Sequence, residues 1–123
     1  MKLRILAFAI AAAAAMPAFG QMHDMQDMHM DQSMMHPTPA NPYPPAEMKM
    51  HQRMMAAVGD DATETWVRKM IEHHRGGIET SRIVLQHTKD PKVRQMATKT
   101  IAEQTREVGE LNGWLRSHGK RPQ

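Results

Sequence analysis

The dipeptide Asp90-Pro91, in the stretch "TKDP", stands between two long runs whose apolar residues recur every three or four positions, and it restricts the chain to a helical hairpin. Proline lacks the backbone donor and has a fixed φ. A helix is therefore disfavoured through residue 91 but can begin there, with Asp90 as its N-cap. The upstream run starts in "GDDATETW", where Asp60 or Asp61 offers an N-cap and Glu64 stands three residues beyond Asp61, a variant of the capping box. It carries Trp66, Val67, Met70, Ile71, Ile78, Val84 and Leu85 and is expected to end near Thr88. The downstream run carries Val93, Ala97, Ile101, Val108, Leu111 and Leu115 and is expected to stop before Gly119. So short a turn makes the two helices antiparallel neighbours.

Ahead of the pair, Ala46 to Val58 ("AEMKMHQRMMAAV") is rich in helix formers and is followed by Gly59, a natural C-terminal cap. No strand pattern competes. The expected fold is all-α: an antiparallel up-and-down bundle, either of the ferritin-like four-helix type or of three helices completed by a partner. The helical domain, residues 46–118, is near the size at which one core gives marginal stability. A second copy in a homodimer, or a bound metal, would help.

The first twenty residues, "MKLRILAFAIAAAAAMPAFG", have a basic start, an apolar run and small residues before Gln21, the pattern of a cleaved secretory signal. The apolar run, Ile5 to Met16, is too short to span a bilayer, and Pro17 and Gly20 interrupt it, so a retained anchor is the weaker alternative. Export to the periplasm is expected, with no membrane attachment after processing. Without Lys2 and Arg4 the basic excess nearly vanishes, and no basic run carries interleaved aromatics; nucleic acid is not an expected partner. The chain has no cysteine, so disulfides and thiolate metal sites are excluded and any soft metal ligand must be methionine.

Residues 21–45 form a Met/His-rich tail and a proline-rich linker, "HPTPANPYPP", with almost no core formers, and are expected to be disordered. The tail carries Met22, His23, Met25, Met28, His29, Met30, Met34, Met35 and His36 among Asp, Gln and Ser. A buried helix would surround methionines with Leu, Ile or Val; a surface loop would not need six of them. Thioethers are soft ligands suited to Cu(I), imidazole serves Cu(I) and Cu(II), and carboxylates support the oxidised ion. Cleavage before Gln21 would also place His23 third, an arrangement suited to square-planar Cu(II). Cutting after Ala18, or cyclisation of Gln21, would cancel it. Methionines acting only as oxidant traps leave the histidines unexplained.

Within the hairpin, Val67, Met70, Ile71, His74, Gly77, Ile78, Ser81 and Leu85 share one stripe, and Val93, Ala97, Thr100, Ile101, Gln104, Val108, Leu111 and Leu115 make its counterpart, with Glu107 at the edge. Folding at Lys89 and Asp90 brings His74 and Gln104 to nearly the same level, with Met70, His73 and Glu107 within a turn or two. A buried His74–Gln104 hydrogen bond with Glu107 reaching solvent would satisfy these groups without metal. A cluster of Met70, His73, His74, Gln104 and Glu107 at one depth nevertheless favours a metal site. Gly76 and Gly77 each cost the helix roughly 1 kcal/mol relative to Ala, which points to close helix approach there. The short helix adds Met48, Met50, His51, Met54 and Met55; plain core packing accounts for methionines on a helix, and Met50, His51 and Met54 are the ligand candidates.

The segments "MIEHHRGGIE" (Met70 to Glu79) and "DPKVRQMATKTIAEQTREVGELNGWL" (Asp90 to Leu115) closely resemble the "domain of unknown function 305" family, exported ferritin-like helical bundles that include the CopM copper-binding proteins. The resemblance spans about 65 residues, from near Met50 to Leu115. It implies an up-and-down four-helix arrangement and a copper role. Where the family usually has a methionine after "IE" this chain has Thr80, and where it often has one before "WL" this chain has Leu111; a site using those sulfurs would be impaired here.

The reading is thus an exported copper-binding protein, not an enzyme, that sequesters or buffers Cu(I), with Cu(II) or Ag(I) as further ions and copper-efflux or copper-delivery proteins as partners. The alternatives are a ferritin-like metal-dependent oxidase and a metal-free helical adaptor or stress protein. A di-iron oxidase would need a Glu from each of two helices and Glu-x-x-His from the other two, and "EHH" at Glu72 places the histidine next door instead.

Overall fold

The computed structural model describes residues 36–123, and the tail positions 22–35 lie outside the described residues. Three helices follow one another: α1 (Pro44–Ala56), α2 (Ala62–His87) and α3 (Pro91–Ser117). No strand occurs among the described residues, and no helix among them is long and apolar enough to cross a membrane. The fold class is all-α, as the periodicity requires.

Each boundary has a local cause. Asp61 caps α2, its carboxylate accepting the Glu64 N–H at 2.8 Å, while the Glu64 carboxylate reaches back to the Asp60 N–H at 3.1 Å. Asp90 caps α3 by accepting the N–H groups of Lys92 and Val93 at 2.8 and 2.9 Å, with Pro91 in the first turn. At the other end of α3, Gly119 adopts φ +67°, and Lys120 N–H bonds Leu115 C=O at 2.8 Å while Gly119 N–H bonds Arg116 C=O at 3.1 Å, a Schellman motif.

The short helix departs from expectation at both ends. It begins two residues early, because Pro44 and Pro45 occupy first-turn positions where no N–H is needed, and Pro44 and Ala46 are buried. It ends at Ala56 rather than Val58, where Lys69 of α2 donates to the Met54 carbonyl at 2.5 Å and satisfies a last-turn acceptor. Gly59 is therefore no helix cap. It lies against the Glu64 side chain, and its N–H donates to Thr65 Oγ1 at 2.9 Å.

α2 is central. α1 and α3 each pack on it and do not meet one another. The two glycines face opposite partners: a side chain at Gly76 would run into Met50 of α1, and one at Gly77 would run into the Gln104 amide of α3. The hairpin core is Val67, Ile71 and Leu115, with Val108, Leu111 and Trp114 packed against it. Val93, assigned to the apolar stripe from the sequence, is 38% exposed, because it sits in the first turn of α3 beyond the end of the packed seam.

A polar network between α2 and the segment that follows α3 supports this small core. Glu64 is buried and paired with Arg68 at 2.7 Å and Lys120 at 3.1 Å. The Asp60 N–H first, then Arg68 and Lys120, hold its carboxyl down from 4.5 to about 2. Lys120 is raised in turn, chiefly by its 2.6 Å bond to Asp60 and then by Glu64. Gln123 lies in the same network: its amide Nε2 donates to the Arg68 carbonyl at 3.0 Å and to buried Glu72 at 2.7 Å, and its N–H donates to Asn112 Oδ1 at 2.7 Å.

Two expected outcomes follow from these contacts. A depressed folded-state pKa means that Glu64 stabilises the fold above pH 4.5 and that this contribution is lost as pH falls towards 2. Glu64→Gln should therefore lower Tm at pH 7 and flatten the decline of Tm between pH 4.5 and 2, followed by thermal melts in a pH series. The glycines should respond unequally. Gly77→Ala would push the Gln104 amide out of the gap it fills and loosen the level of α3, but the atoms it meets are the far end of a flexible side chain and alanine gains helix propensity, so its loss should be the smaller one. Gly76→Ala meets Met50 as far back as its Cβ, at 2.8 Å, so α1 must shift and urea unfolding should show a loss of about 1–3 kcal/mol.

Candidate functional site

Between α2 and α3 runs a groove lined by Trp66, Val67, Met70 and His74 from one helix and Glu107, Leu111 and Trp114 from the other. Helical spacing puts Trp66, Met70 and His74 one above another at intervals of four, and antiparallel packing brings Glu107 to the level of His74. Nε2 of half-buried His74 donates to Glu107 Oε2 at 2.6 Å. A neutral ring that donates through Nε2 carries a lone pair on Nδ1. That atom is buried and has no partner among the described residues. The side chains are 13% and 41% exposed, so the pair straddles the groove's edge, with its imidazole inside and its carboxylate at the water.

The expected meeting of His74 with Gln104 does not occur. Gln104 lies one turn away along α3, its amide filling the space that Gly77 leaves open, and its buried Oε1 has no partner among the described residues. With Gln104 in that gap, antiparallel packing sets Glu107 opposite His74. Of the five residues expected to cluster, the structure thus brings Met70, His74 and Glu107 to one groove and leaves out two. Gln104 lies deeper in the seam, and His73 is exposed, its ring edge-on to that of His74 with centroids 5.9 Å apart.

The short-helix residues do not join this groove. Met50 is half-buried against Gly76 on the opposite side of α2, which is the core-packing role; Met54 is half-buried, and His51 is exposed. His36 is exposed, and Met22, His23, Met25, Met28, His29, Met30, Met34 and Met35 lie outside the described residues. Among the described residues no three His, Asp or Glu side chains gather as a metal-holding group.

Sequence reasoning passed over Trp66 and Trp114 as lining residues. Both were placed on helices, and Trp66 is 59% exposed, so neither stood out as part of a site before the packing was known. It also missed buried Glu72, whose Oε1 accepts from Arg75 at 2.8 Å and whose Oε2 has no partner among the described residues. Glu64, Arg68 and Glu72 recur every four residues, a spacing that reads as a solvated charged face.

The fold and groove define a small all-helical protein with an amphipathic cleft along a two-helix seam. The chain belongs to the domain of unknown function 305 family, whose model matches residues 1–115. It is 38% identical over 50 residues to "Uncharacterized protein L153" of Acanthamoeba polyphaga mimivirus, a match that takes in 41% of this chain and 33% of that protein, so the chain spans only about a third of that relative's length.

The His74–Glu107 contact should be energetically coupled. In a double-mutant cycle with His74→Ala and Glu107→Ala, the two losses of stability measured by denaturant unfolding should fail to add by about 1 kcal/mol. Strict additivity would mean that the pair is not formed in solution.

Proposed function

We propose that this is an exported copper-binding protein that sequesters or buffers the ion, with Cu(I) as its principal cargo and Cu(II) or Ag(I) as further ions. The observation that carries the reading is the placement of His74: its Nε2 lies 2.6 Å from the Glu107 carboxylate, and its buried Nδ1 has no partner among the described residues. Histidines that ligate metals are commonly held in this way, with a carboxylate on the other ring nitrogen fixing tautomer and ring orientation. The thioether of Met70 lines the same groove. In this reading Met70 and His74 hold the ion and Glu107 orients the imidazole.

One thioether and one imidazole suit a soft monovalent ion better than a hard one. The Met/His sequence of residues 22–36 supports the same preference and adds candidate sites. The alternative of a ferritin-like oxidase finds less support, since the groove offers Glu107, Glu110 and one imidazole rather than a Glu from each of two helices and Glu-x-x-His from the other two. The proposed setting is the periplasm, with copper-efflux or copper-delivery proteins as partners and a binding rather than catalytic role.

Competitive Cu(I) titration, with Ag(I) as a redox-inert substitute, tests this directly. Because Trp66 and Trp114 line the groove, binding there should change tryptophan emission. Met70→Ala and His74→Ala should each weaken the emission-linked site at least ~10-fold, about 1.4 kcal/mol. Wild-type emission that ignores the ion, or variants that bind as tightly as wild type, would remove this site.

A further inference from the structure

α1 and α3 both pack on α2 without meeting, which leaves one corner of a four-membered bundle, diagonal to α2, without a helix among the described residues. That corner is a groove of about 580 Å³, far more than an ion requires. Ile78 and Val108 supply its apolar part, and Lys49, Arg53, Arg75 and Arg82 surround it with positive charge. Glu79 neutralises Lys49 through oxygens at 3.0 and 3.1 Å, and Glu72 pairs with Arg75 at 2.8 Å. Arg53 and Arg82 have no ion pair among the described residues. An occupant should therefore be acidic on one side and apolar on the next.

We propose that residues 22–35 of the same chain dock in this corner as the missing fourth element. Between Gln21 and Met48 the chain has no Lys or Arg, but it has Asp24, Asp27 and Asp31. Their spacing of i, i+3 and i+7 would put all three on one face of a helical segment, and Met25 and Met28 on the neighbouring face. Asp opposite Arg53 and Arg82, with Met on Ile78 and Val108, matches both halves of the groove.

The connection also fits. Thr38 and Asn41 exchange backbone hydrogen bonds of 2.9 and 3.1 Å, which close a turn immediately before α1. Residues 36–43 are within the usual length of a helix–helix connection in bundles. In an up-and-down arrangement the segment preceding α1 is the one that belongs between α1 and α3. The docking is independent of metal, so it stands or falls separately from the copper reading.

The chain's lack of cysteine allows a single nitroxide at Ser33→Cys in the full chain after any N-terminal processing, studied by NMR in metal-free buffer. Amide signals of Ile78, Arg82 and Thr105 should broaden, while those of Trp66 and Glu110 on the opposite groove should not. Raising salt should weaken the effect, because the attraction is between exposed charges. Arg53→Glu with Arg82→Glu should abolish the broadening with an unchanged far-UV circular dichroism spectrum. Unbroadened groove signals in the wild-type background would overturn the proposal. So would broadening of isotope-labelled, nitroxide-free chains mixed with unlabelled spin-labelled ones, since the occupant would then be a second copy.

Discussion

The close approach at Gly76 and Gly77 is the constraint on which the rest of this molecule depends. Two adjacent residues on a helix point about 100° apart, so a glycine pair opens α2 to one neighbour on each of two faces. Met50 fills one opening and Gln104 the other. This makes α2 the shared wall of two seams, sets the level of α3 against it, and keeps α1 and α3 apart. Two glycines within a helix cost stability that the packing on both sides must offset.

The depth of the polar residues follows from that register. With Gln104 over Gly77, His74 falls opposite Glu107, at the edge of a cleft that Met70, Trp66 and Trp114 also line. The Nε2 of His74 is paired and its Nδ1 is not, the latter being one of few buried polar side-chain atoms without a partner among the described residues. The apolar core itself is small, and the Glu64, Arg68, Lys120 and Gln123 network performs part of the fastening that a larger domain would leave to hydrophobic burial. Such a network depends on charge and hence on pH in a way that Val67, Ile71 and Leu115 do not.

A chain with one open corner and one open cleft presents two surfaces of different chemistry on either side of α2. The cleft is aromatic and carries sulfur and imidazole; the corner is aliphatic and cationic. The proposed occupants differ accordingly, a soft ion for the first and an acidic segment for the second, although α2 and α3 contribute to both surfaces.

The existence of the three helices among the described residues, the caps at Asp61 and Asp90, the stop at Gly119 and the hairpin itself were legible in the sequence, because each rests on interactions within a few residues of chain. So was the stripe through Met70 and His74, since helical periodicity alone places those residues together. Which residue met His74 was decided only by tertiary packing: Gln104 and Glu107 lie a single turn apart on the same face, and the choice between them depended on the gap above Gly77. The capping role of Glu64 was legible, but its burial and pairing, and the roles of Glu72 and Gln123, were not, because a charged side chain every four residues looks the same whether water or the segment 120–123 covers it. Local spacing determines what a helix can present, and only the neighbours that come to rest on it determine which of those groups are buried, paired or left free.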